Sequence, residues 1–341
     1  RLLFLPFLRY FMLNFSFQKA NILVVGDMMI DCYLRGRVNR ISPEAPVPIM
    51  HIQEREYRLG GAANVALNLK SLGAQPILCS VIGNDEREIT IRDLLSRHGL
   101  SDDALIFSKD RKTTIKYRII GNKMQMIRID DEDDHTLNES DAAQLVTTIE
   151  QLVKYKKIGA IIFVDYDKGV LSQETIRSIL AIARQHDIMT SVDPKKRNFR
   201  YYRGCTLFKP NLKELYEGVN YEADAFDIDN IRQLMKAFAE EESIENIMTT
   251  FSEKGIAIYN KQKDFFYWQP AIERSISDVS GAGDTVMAVA TLGLLSGLSL
   301  ENTVQIANLA GGIVCEYAGV VPVTQEMLKD EYLKRTGKRN I

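Results

Sequence analysis

The segment DVSGAGDT, residues 278–285, places two glycines and an aspartate directly before a run of small and apolar residues. Glycine lets backbone N–H groups approach a ligand closely, because no Cβ stands in the way. A helix that begins at this turn adds the partial positive charge of its N-terminus. Gly281, Ala282 and Gly283 could therefore form an anion hole, but a carboxylate beside a bound anion is unfavourable unless it has a chemical task.

Asp284 would have such a task if it took the proton from a hydroxyl group that attacks a phosphoryl group. The alternative is structural: a glycine-rich helix start followed by an aspartate that the helix dipole favours. The octapeptide alone leaves both interpretations open. The sequence contains no Walker A motif and no strand–GxGxxG–helix unit at its start, so a P-loop NTPase is not supported.

The composition is that of an ordinary globular protein, with 341 residues of which 45% are apolar and 26% charged. Lys and Arg number 43 against 45 Asp and Glu, a net charge of -2, which argues against a broad surface for nucleic acid or membrane. The four cysteines form no CxxC pair, which predicts buried, reduced thiols in a cytoplasmic protein. The four histidines show no HExxH spacing, so neither a zinc site nor a histidine-based triad is indicated.

Residues 1–20 are rich in Leu and Phe but are interrupted by Pro6 and Arg9. The stretch is too short for a membrane span and has no signal-peptide cleavage site. Position 1 is not Met, whereas Met12 stands just before the first convincing strand. We interpret the stretch as an extension that results from the choice of start site, with a peripheral amphipathic contact as the alternative.

The order of predicted elements indicates one large α/β domain over 21–341. NILVVGD, 21–27, predicts a buried parallel strand that ends at a functional edge. Beyond residue 139, helical and strand patterns alternate as in a doubly wound, mostly parallel sheet flanked by helices. Segments near 36–58 and 112–130 do not fit this alternation of helices and strands. We expect 46–58 and 113–130 to pair into a small lid sheet, and we expect 113–130 to form two strands around a Gly-Asn turn.

Two longer segments of the sequence are GGAANVALNLKSLGAQPILCSVIGND and, nearer the C-terminus, DVSGAGDTVMAVAT. In this order they resemble the N-terminal and C-terminal signatures of the ribokinase-like (PfkB) carbohydrate kinases. KPNLKEL resembles the NxxE element, and TFSEKG resembles the loop before the adenine pocket. The resemblance covers about residues 22 to 325 and departs at Val289, where many members carry Gly or Ala. It implies a ribokinase-like fold with a β-sheet lid and an ATP-dependent sugar kinase.

A narrower resemblance points to the substrate. GDMMIDCYLRGRVNRISPEAPVP, VDYDKGVL and VDPKKRNFRYYRG look like the D-glycero-D-manno-heptose 7-phosphate kinases of ADP-heptose and lipopolysaccharide core synthesis. These enzymes phosphorylate the anomeric hydroxyl group and are often fused to an adenylyltransferase. The sequence contains no HxGH nucleotidyl-transfer motif, so it resembles the stand-alone kinase form.

The resemblance implies that Asp284 activates the sugar 1-hydroxyl while the 281–284 backbone stabilises the transferred phosphoryl group. Short polar residues, glycines and one lysine would bind the sugar: Asp31, Gly60, Gly61, Asn64, Asp165 and Lys168. Cations in the lid would meet the substrate's own phosphate, since alternation can place several on one face: Lys116, Arg118 and Arg128. The structural alternatives are a capping role for Asp27 or Asp31 at a βα turn, a solvated lysine, and a charged edge strand that prevents aggregation.

The resemblance also implies a nucleotide site for ATP with Mg²⁺. Its residues would be Lys195, Asn211, Glu214, Ser252, Lys254, Gly255 and Asn308. Asn211 and Glu214, one helical turn apart, would hold Mg²⁺ through water, and the alternative for them is a helix cap and a surface acid. Carbonyl oxygens around Asp278 could bind K⁺, and the lid could form a homodimer. Two other functions stay open: a kinase of another sugar or sugar phosphate, and a non-catalytic sensor, against which the complete GAGD turn argues.

Overall fold

The structure is a computed structural model that describes residues 20–223 and 225–336. The predicted extension over 1–20 lies outside them apart from Ala20. The described residues form these strands: β1 (Asn21–Gly26), β2 (Met28–Ile41), β3 (Pro48–Gly61), β4 (Gln75–Gly83), β5 (Leu105–Ser108), β6 (Ile115–Gly121), β7 (Met124–Asp131), β8 (Ile158–Val164), β9 (Met189–Asp193), β10 (Leu207–Phe208), β11 (Asn246–Thr250), β12 (Ile256–Asn260) and β13 (Phe265–Gln269). They form these α-helices: α1 (Ala62–Ser71), α2 (Arg87–Arg97), α3 (Glu139–Tyr155), α4 (Gln173–Gln185), α5 (Leu212–Gly218), α6 (Ile228–Glu241), α7 (Ala282–Leu295), α8 (Leu300–Val314) and α9 (Gln325–Thr336).

The large sheet has nine strands in the order β13-β12-β11-β10-β9-β8-β1-β4-β5. Its strands pair in parallel from β11 to β5, and β12 and β13 add an antiparallel hairpin at one edge. β1 lies between β4 and β8, so the strand order reverses beside it. Such a switch point opens a crevice at the carboxyl ends of the strands, where α/β proteins bind ligands. The predicted fold class is confirmed.

The sheet separates two hydrophobic cores, so the domain has three layers. Along β1, Ile22 and Val24 face a core that includes α1, α7 and α8, whereas Leu23 and Val25 face a core that includes α3, α4 and α6. Successive side chains of a strand point to opposite faces, and here both faces are apolar. This burial holds the strand ends of the crevice in fixed positions.

A second, smaller sheet has the strand order β3-β2-β6-β7. The segments predicted to pair into a small lid sheet, 46–58 and 113–130, both belong to this sheet, and β2 lies between them, so they are not hydrogen-bonded to each other directly. The sequence does not indicate where β2 begins, because Met28–Tyr33 is buried throughout and shows no alternation of buried and exposed residues. The tight turn between β6 and β7 centres on Asn122 and Lys123, with φ of 52° and 68°, one residue beyond the predicted Gly-Asn position.

The two faces of the small sheet differ in chemistry. Cross-strand neighbours share a face, so the rows Asp31–Lys116–Asp130 and Tyr33–Arg118–Arg128 make one face charged. The rows that alternate with them carry apolar residues to the opposite face: Cys32, Tyr117 and Ile129 in one, Leu34, Ile119 and Ile127 in the other. The charged face includes Asp31, one of the predicted sugar-binding residues.

The cysteines agree with the prediction in three of four cases. Cys32, Cys79 and Cys205 are buried free thiols, whereas Cys315 is free but only half-buried. None of the helices in the described ranges is long and apolar enough to cross a membrane.

Candidate active site

The turn before α7 requires glycine. Gly281 is the N-cap of α7 and has a φ of 79°, in the left-handed region that L-residues with a Cβ avoid. A Cβ at this position would lie 2.8 Å from Nδ2 of Asn64 and 3.2 Å from Cγ1 of Val320. The N–H of Ala282 donates to the carbonyl oxygen of Val279 at 3.3 Å, so the predicted anion hole depends on the next N–H groups of the helix.

Asp284, in the first turn of α7, is buried and held by two donors. Asn64 Nδ2 donates to Oδ2 at 2.8 Å, and the hydroxyl group of Tyr166 donates to Oδ1 at 2.9 Å. Burial and the nearby carboxylate of Asp193 raise the pKa of Asp284 to about 7, although both hydrogen bonds favour the charged form. A carboxyl group with this pKa can accept a proton near neutral pH.

Two residues at the turn were not predicted as site residues. Lys209 is buried, with Nζ 3.1 Å from Oδ1 of Asp193 and 3.7 Å from the position of a Cβ on Gly283. Tyr166 comes two residues after the end of β8, and burial and Asp284 raise its pKa well above the usual value, so it remains a donor. Only their position at the carboxyl ends of strands could have indicated them.

The predicted sugar-side residues lie next to this turn. Asp31 is buried, accepts a hydrogen bond from Arg118, and would have its Oδ2 only 2.4 Å from a Cβ on Gly60. Gly61, with a φ of 57°, is the N-cap of α1. Asn64 lies in the first turn of that helix and contacts Asp284 directly, which joins the two signature segments in one site.

The predicted phosphate-binding cations all have acidic partners. Lys116 Nζ contacts Asp130 at 3.0 Å and Glu132 at 2.8 Å, and Lys168 Nζ contacts Glu132 at 2.6 Å. Arg128 pairs with Asp130 through Nε and Nη2 at 2.9 and 3.0 Å. A substrate phosphate at this face would therefore join an existing network of ion pairs.

Asp165 is committed to contacts inside the protein. Its carboxylate accepts hydrogen bonds from Tyr202, from Asn198 and from the N–H of Asp167, at 2.7 to 2.9 Å. Burial, and then the charge of Asp27, raise the pKa of Asp165 to about 7. These contacts shape the loop that carries Tyr166 and Lys168.

Asp27 fixes the same loop from β1. Its carboxylate accepts hydrogen bonds from the backbone N–H groups of Tyr166, Lys168 and Val170, at 2.8 to 3.1 Å. These contacts give Asp27 the structural role of a cap at the end of β1.

Two of the predicted nucleotide-binding residues, Asn211 and Glu214, form a reciprocal capping box at the start of α5, with both hydrogen bonds at 2.8 Å. Lys195 donates to Oε1 of Glu214. Burial alone would lower the pKa of Lys195, but Asp193 and Glu214 outweigh it and hold that pKa above its usual value. The described residues contain no cluster of three or more His, Cys, Asp or Glu side chains that could hold a metal by themselves.

A cavity of about 580 Å³ adjoins this capping box and has a size suited to a small ligand. Its lining includes three of the predicted nucleotide residues, Asn211, Ser252 and Lys254, together with the aromatic rings of Tyr216 and Phe226. Two further predicted residues lie beside Pro270. Asn308 Nδ2 donates to the Pro270 carbonyl at 2.8 Å, and a Cβ on Gly255 would lie 2.7 Å from the same carbonyl carbon.

Asp278 braces the glycine turn. Its carboxylate accepts from the N–H of Ser280 at 2.9 Å and from the N–H of Gly319 at 3.0 Å. Burial would raise the pKa of Asp278, but these hydrogen bonds prevail and hold it below its usual value. A negative charge at neutral pH is compatible with a nearby cation.

Comparison with known proteins gives the family. A model described as "pfkB family carbohydrate kinase" matches residues 19–326. The bifunctional protein HldE of Aliarcobacter butzleri is 36% identical over 323 residues, covering 95% of this chain and 66% of that protein. HldE of Methylobacillus flagellatus is 38% identical over 323 residues, covering 93% and 64%. The chain thus spans about two thirds of the length of these relatives.

Solved structures show the same fold at low identity. Phosphofructokinase-2 from Escherichia coli in complex with substrates and products has a TM-score of 0.77 at 18% identity, over 93% of this chain and 99% of that one. Arabidopsis thaliana ribokinase complexed with ribose and ATP has a TM-score of 0.71 at 15% identity, over 92% and 98%. Together with the family match over most of its length, the two signature segments that meet at Asp284 establish that this chain belongs to the pfkB family of carbohydrate kinases.

Proposed function

We propose that the chain transfers the γ-phosphoryl group of ATP to the anomeric hydroxyl of D-glycero-D-manno-heptose 7-phosphate. The observation that carries the reaction type is the buried carboxyl group of Asp284, with a pKa of about 7, in the first turn of a glycine-capped helix. The narrower sequence resemblance and the HldE relatives support heptose as the sugar. The need for ATP favours a cytoplasmic location.

In the proposed step, Asp284 accepts the proton of the sugar 1-hydroxyl while the oxygen of that hydroxyl forms a bond to the γ-phosphorus. The bond from that phosphorus to the β–γ bridging oxygen breaks, and ADP leaves. Asn64 and Tyr166 orient the carboxylate, and the ammonium group of Lys209 lies where it can offset charge on the transferred phosphoryl group. Asp284 itself is buried, which limits the access of bulk water to its carboxylate.

We propose Mg²⁺ as the divalent cofactor, bound through its waters at Asn211 and Glu214. Each oxygen of Glu214 already accepts one hydrogen bond, from Lys195 or from the backbone of Asn211. A carboxylate can accept about four hydrogen bonds, so waters of a hydrated ion fit while direct ligation fits less well. When bound with ATP, the ion would neutralise phosphate charge. K⁺ near Asp278 is a further proposal, supported by the half-buried negative charge of that side chain and testable by adding K⁺ to a salt-free assay.

The decisive test is ATP consumption with heptose 7-phosphate, free heptose, fructose 6-phosphate and ribose, each with Mg²⁺. We expect the highest kcat/KM with heptose 7-phosphate and a 1,7-bisphosphate product. Turnover of another sugar with higher kcat/KM would assign the chain to a different substrate. Binding of sugar and ATP without turnover would indicate the sensor function instead.

We also propose that the chain forms a homodimer through the apolar face of the small sheet. On that face Ile127 and Ile129 are 56% and 49% exposed, and Leu34 and Ile119 are partly exposed beside Ile127. Adjacent exposed isoleucines on a sheet are costly in water and are typical of a surface that another protein covers. A second copy of the same sheet would offer a matching apolar surface under two-fold symmetry.

A further inference from the structure

Glu132 joins two lysines from different parts of the fold. Its Oε2 accepts from Lys116 Nζ at 2.8 Å and its Oε1 accepts from Lys168 Nζ at 2.6 Å. The three side chains are only 12% to 20% exposed, so the contacts are shielded from bulk water. Glu132 follows β7 of the small sheet, whereas Lys168 belongs to the loop after β8. One carboxylate therefore ties the small sheet to the loop that carries Tyr166.

The cluster neighbours residues at both ends of the proposed sugar site. Lys116 is the cross-strand neighbour of Asp31, and both belong to the charged face of the small sheet. Lys168 lies two residues after Tyr166, whose hydroxyl group reaches Asp284. The elements that carry Lys116, Glu132 and Lys168 thus border both Asp31 and the loop of Tyr166, which a sugar phosphate bound between Asp31 and Asp284 would approach.

The two ammonium groups retain capacity to bind an anion. Each has three N–H donors. Lys116 uses two of them, on Asp130 and Glu132, and Lys168 uses one on Glu132, which leaves three donors between them. Burial would raise the pKa of Glu132, but the hydrogen bonds from both lysines outweigh it and hold that pKa below its usual value, so the bridge is charged at neutral pH.

The wider network is cationic overall. Lys116, Lys168, Arg118 and Arg128 carry four positive charges, and their partners Asp31, Asp130 and Glu132 carry three negative ones. A phosphate group that joins this network meets one excess positive charge and unused donors. Without Glu132 the two ammonium groups would repel each other and separate, since no other acid among the described residues contacts both.

We propose that Glu132 is a positioning and specificity-determining residue, which holds Lys116 and Lys168 together as a two-ammonium clamp for the phosphate that the sugar already carries. The proposal rests on the proposed function for the identity of the sugar, but its chemistry needs only a phosphate on the acceptor. Discrimination against unphosphorylated sugars would then depend on an acidic residue that does not itself touch the phosphate.

Glu132→Gln tests the clamp, because glutamine keeps the shape and removes the charge. We expect KM for heptose 7-phosphate to rise by about tenfold or more, as for the loss of a charge-assisted contact. KM for free heptose, KM for ATP and kcat should change by less than about twofold. Glu56→Gln is the matched control: Glu56 also bridges two cations on the same face, Arg35 and Arg58, but from β3. It should leave KM for both sugars unchanged.

Three results would overturn the clamp: an equal rise of KM for both sugars, a lower KM for the phosphorylated sugar, or the same effect from Glu56→Gln. The first would mean a purely structural bridge, and the second would mean that the carboxylate competes with the phosphate. If the wild-type protein does not use heptose 7-phosphate, the proposed function fails on its own. The clamp is then tested by calorimetry with inorganic phosphate in the presence of saturating ADP. Weaker binding by Glu132→Gln and Lys168→Met, but not Glu56→Gln, supports it, and equal binding by all refutes it.

Discussion

At the residue scale, the environment of Asp284 determines how the site should respond to pH. Its pKa is raised to about 7, so the protonated form, which cannot accept a proton from the sugar, dominates below that pH. We expect kcat/KM to fall about tenfold per pH unit on the acidic side of pH 7. Tyr166→Phe removes a donor to the carboxylate and should move this limb to higher pH by about one unit. If the acidic limb of the pH profile does not move in this variant, the limb does not report the protonation of Asp284.

The same pKa predicts an unusual stability effect of Asp284→Asn. An unfolded aspartate titrates near 3.8, whereas the folded one retains its proton up to about 7. The folded state therefore binds more protons over this range, and the free energy of unfolding falls as pH rises. At pH 8 the variant should be more stable than the wild type by about 4 kcal/mol, which is the raised pKa converted at about 1.4 kcal/mol per unit, with little difference at pH 3. Urea denaturation at both pH values measures this difference in stability. In the same variant, kcat should fall at least about a hundredfold.

At the element scale, the N-terminus of α7 connects backbone geometry to the carboxylate of Asp284, the proposed base. Gly281→Ala puts a Cβ in the left-handed region and 2.8 Å from Nδ2 of Asn64, which must move away from Asp284. We expect kcat to fall about tenfold or more, and stability to fall by roughly 1 kcal/mol. Gly297→Ala is the matched control just after the other end of the helix, with a φ of 73° and no atom within 4 Å of its Cβ. It should lose similar stability while keeping kcat, and an equal loss of kcat in both variants would refute the argument.

Sequence reasoning located elements better than contacts. The helices that begin at Ala62 and Ala282 follow glycine turns that are visible in the amino-acid sequence, so the sequence alone is enough to place their first turns. The sequence alone does not predict that β3 pairs with β2. Strand register depends on residues far apart in sequence, and the buried start of β2 lacks the alternation of apolar and polar residues. The same holds for Lys209, a single lysine after a two-residue strand, whose role emerges only when α7 packs beside it.

At the scale of the whole molecule, the two sheets contribute different residues to the proposed site. The large sheet, with apolar cores on both sides, holds the strand ends that carry Tyr166, Asp193 and Lys209. The small sheet is anchored at its root, where Met28, Ile30 and neighbouring residues are buried, and exposes apolar side chains further out. Apolar side chains exposed on one face of a sheet are costly in water, and the proposed homodimer would cover them.

The proposed homodimer gives the last prediction. Ile127→Lys combined with Ile129→Lys places two charges on each copy of the apolar face, and two-fold symmetry brings four of them together. We expect the dimer dissociation constant to rise at least about a hundredfold, since fully covered apolar residues dominate such interfaces. Both residues are about half exposed, so the monomer should still fold, which circular dichroism can check. Ile89→Lys, at a 76% exposed isoleucine on α2, controls for the added charge and should leave the dimer intact. Sedimentation velocity distinguishes the outcomes: a monomeric wild type, or a double variant that remains dimeric, would show that this face is not the interface.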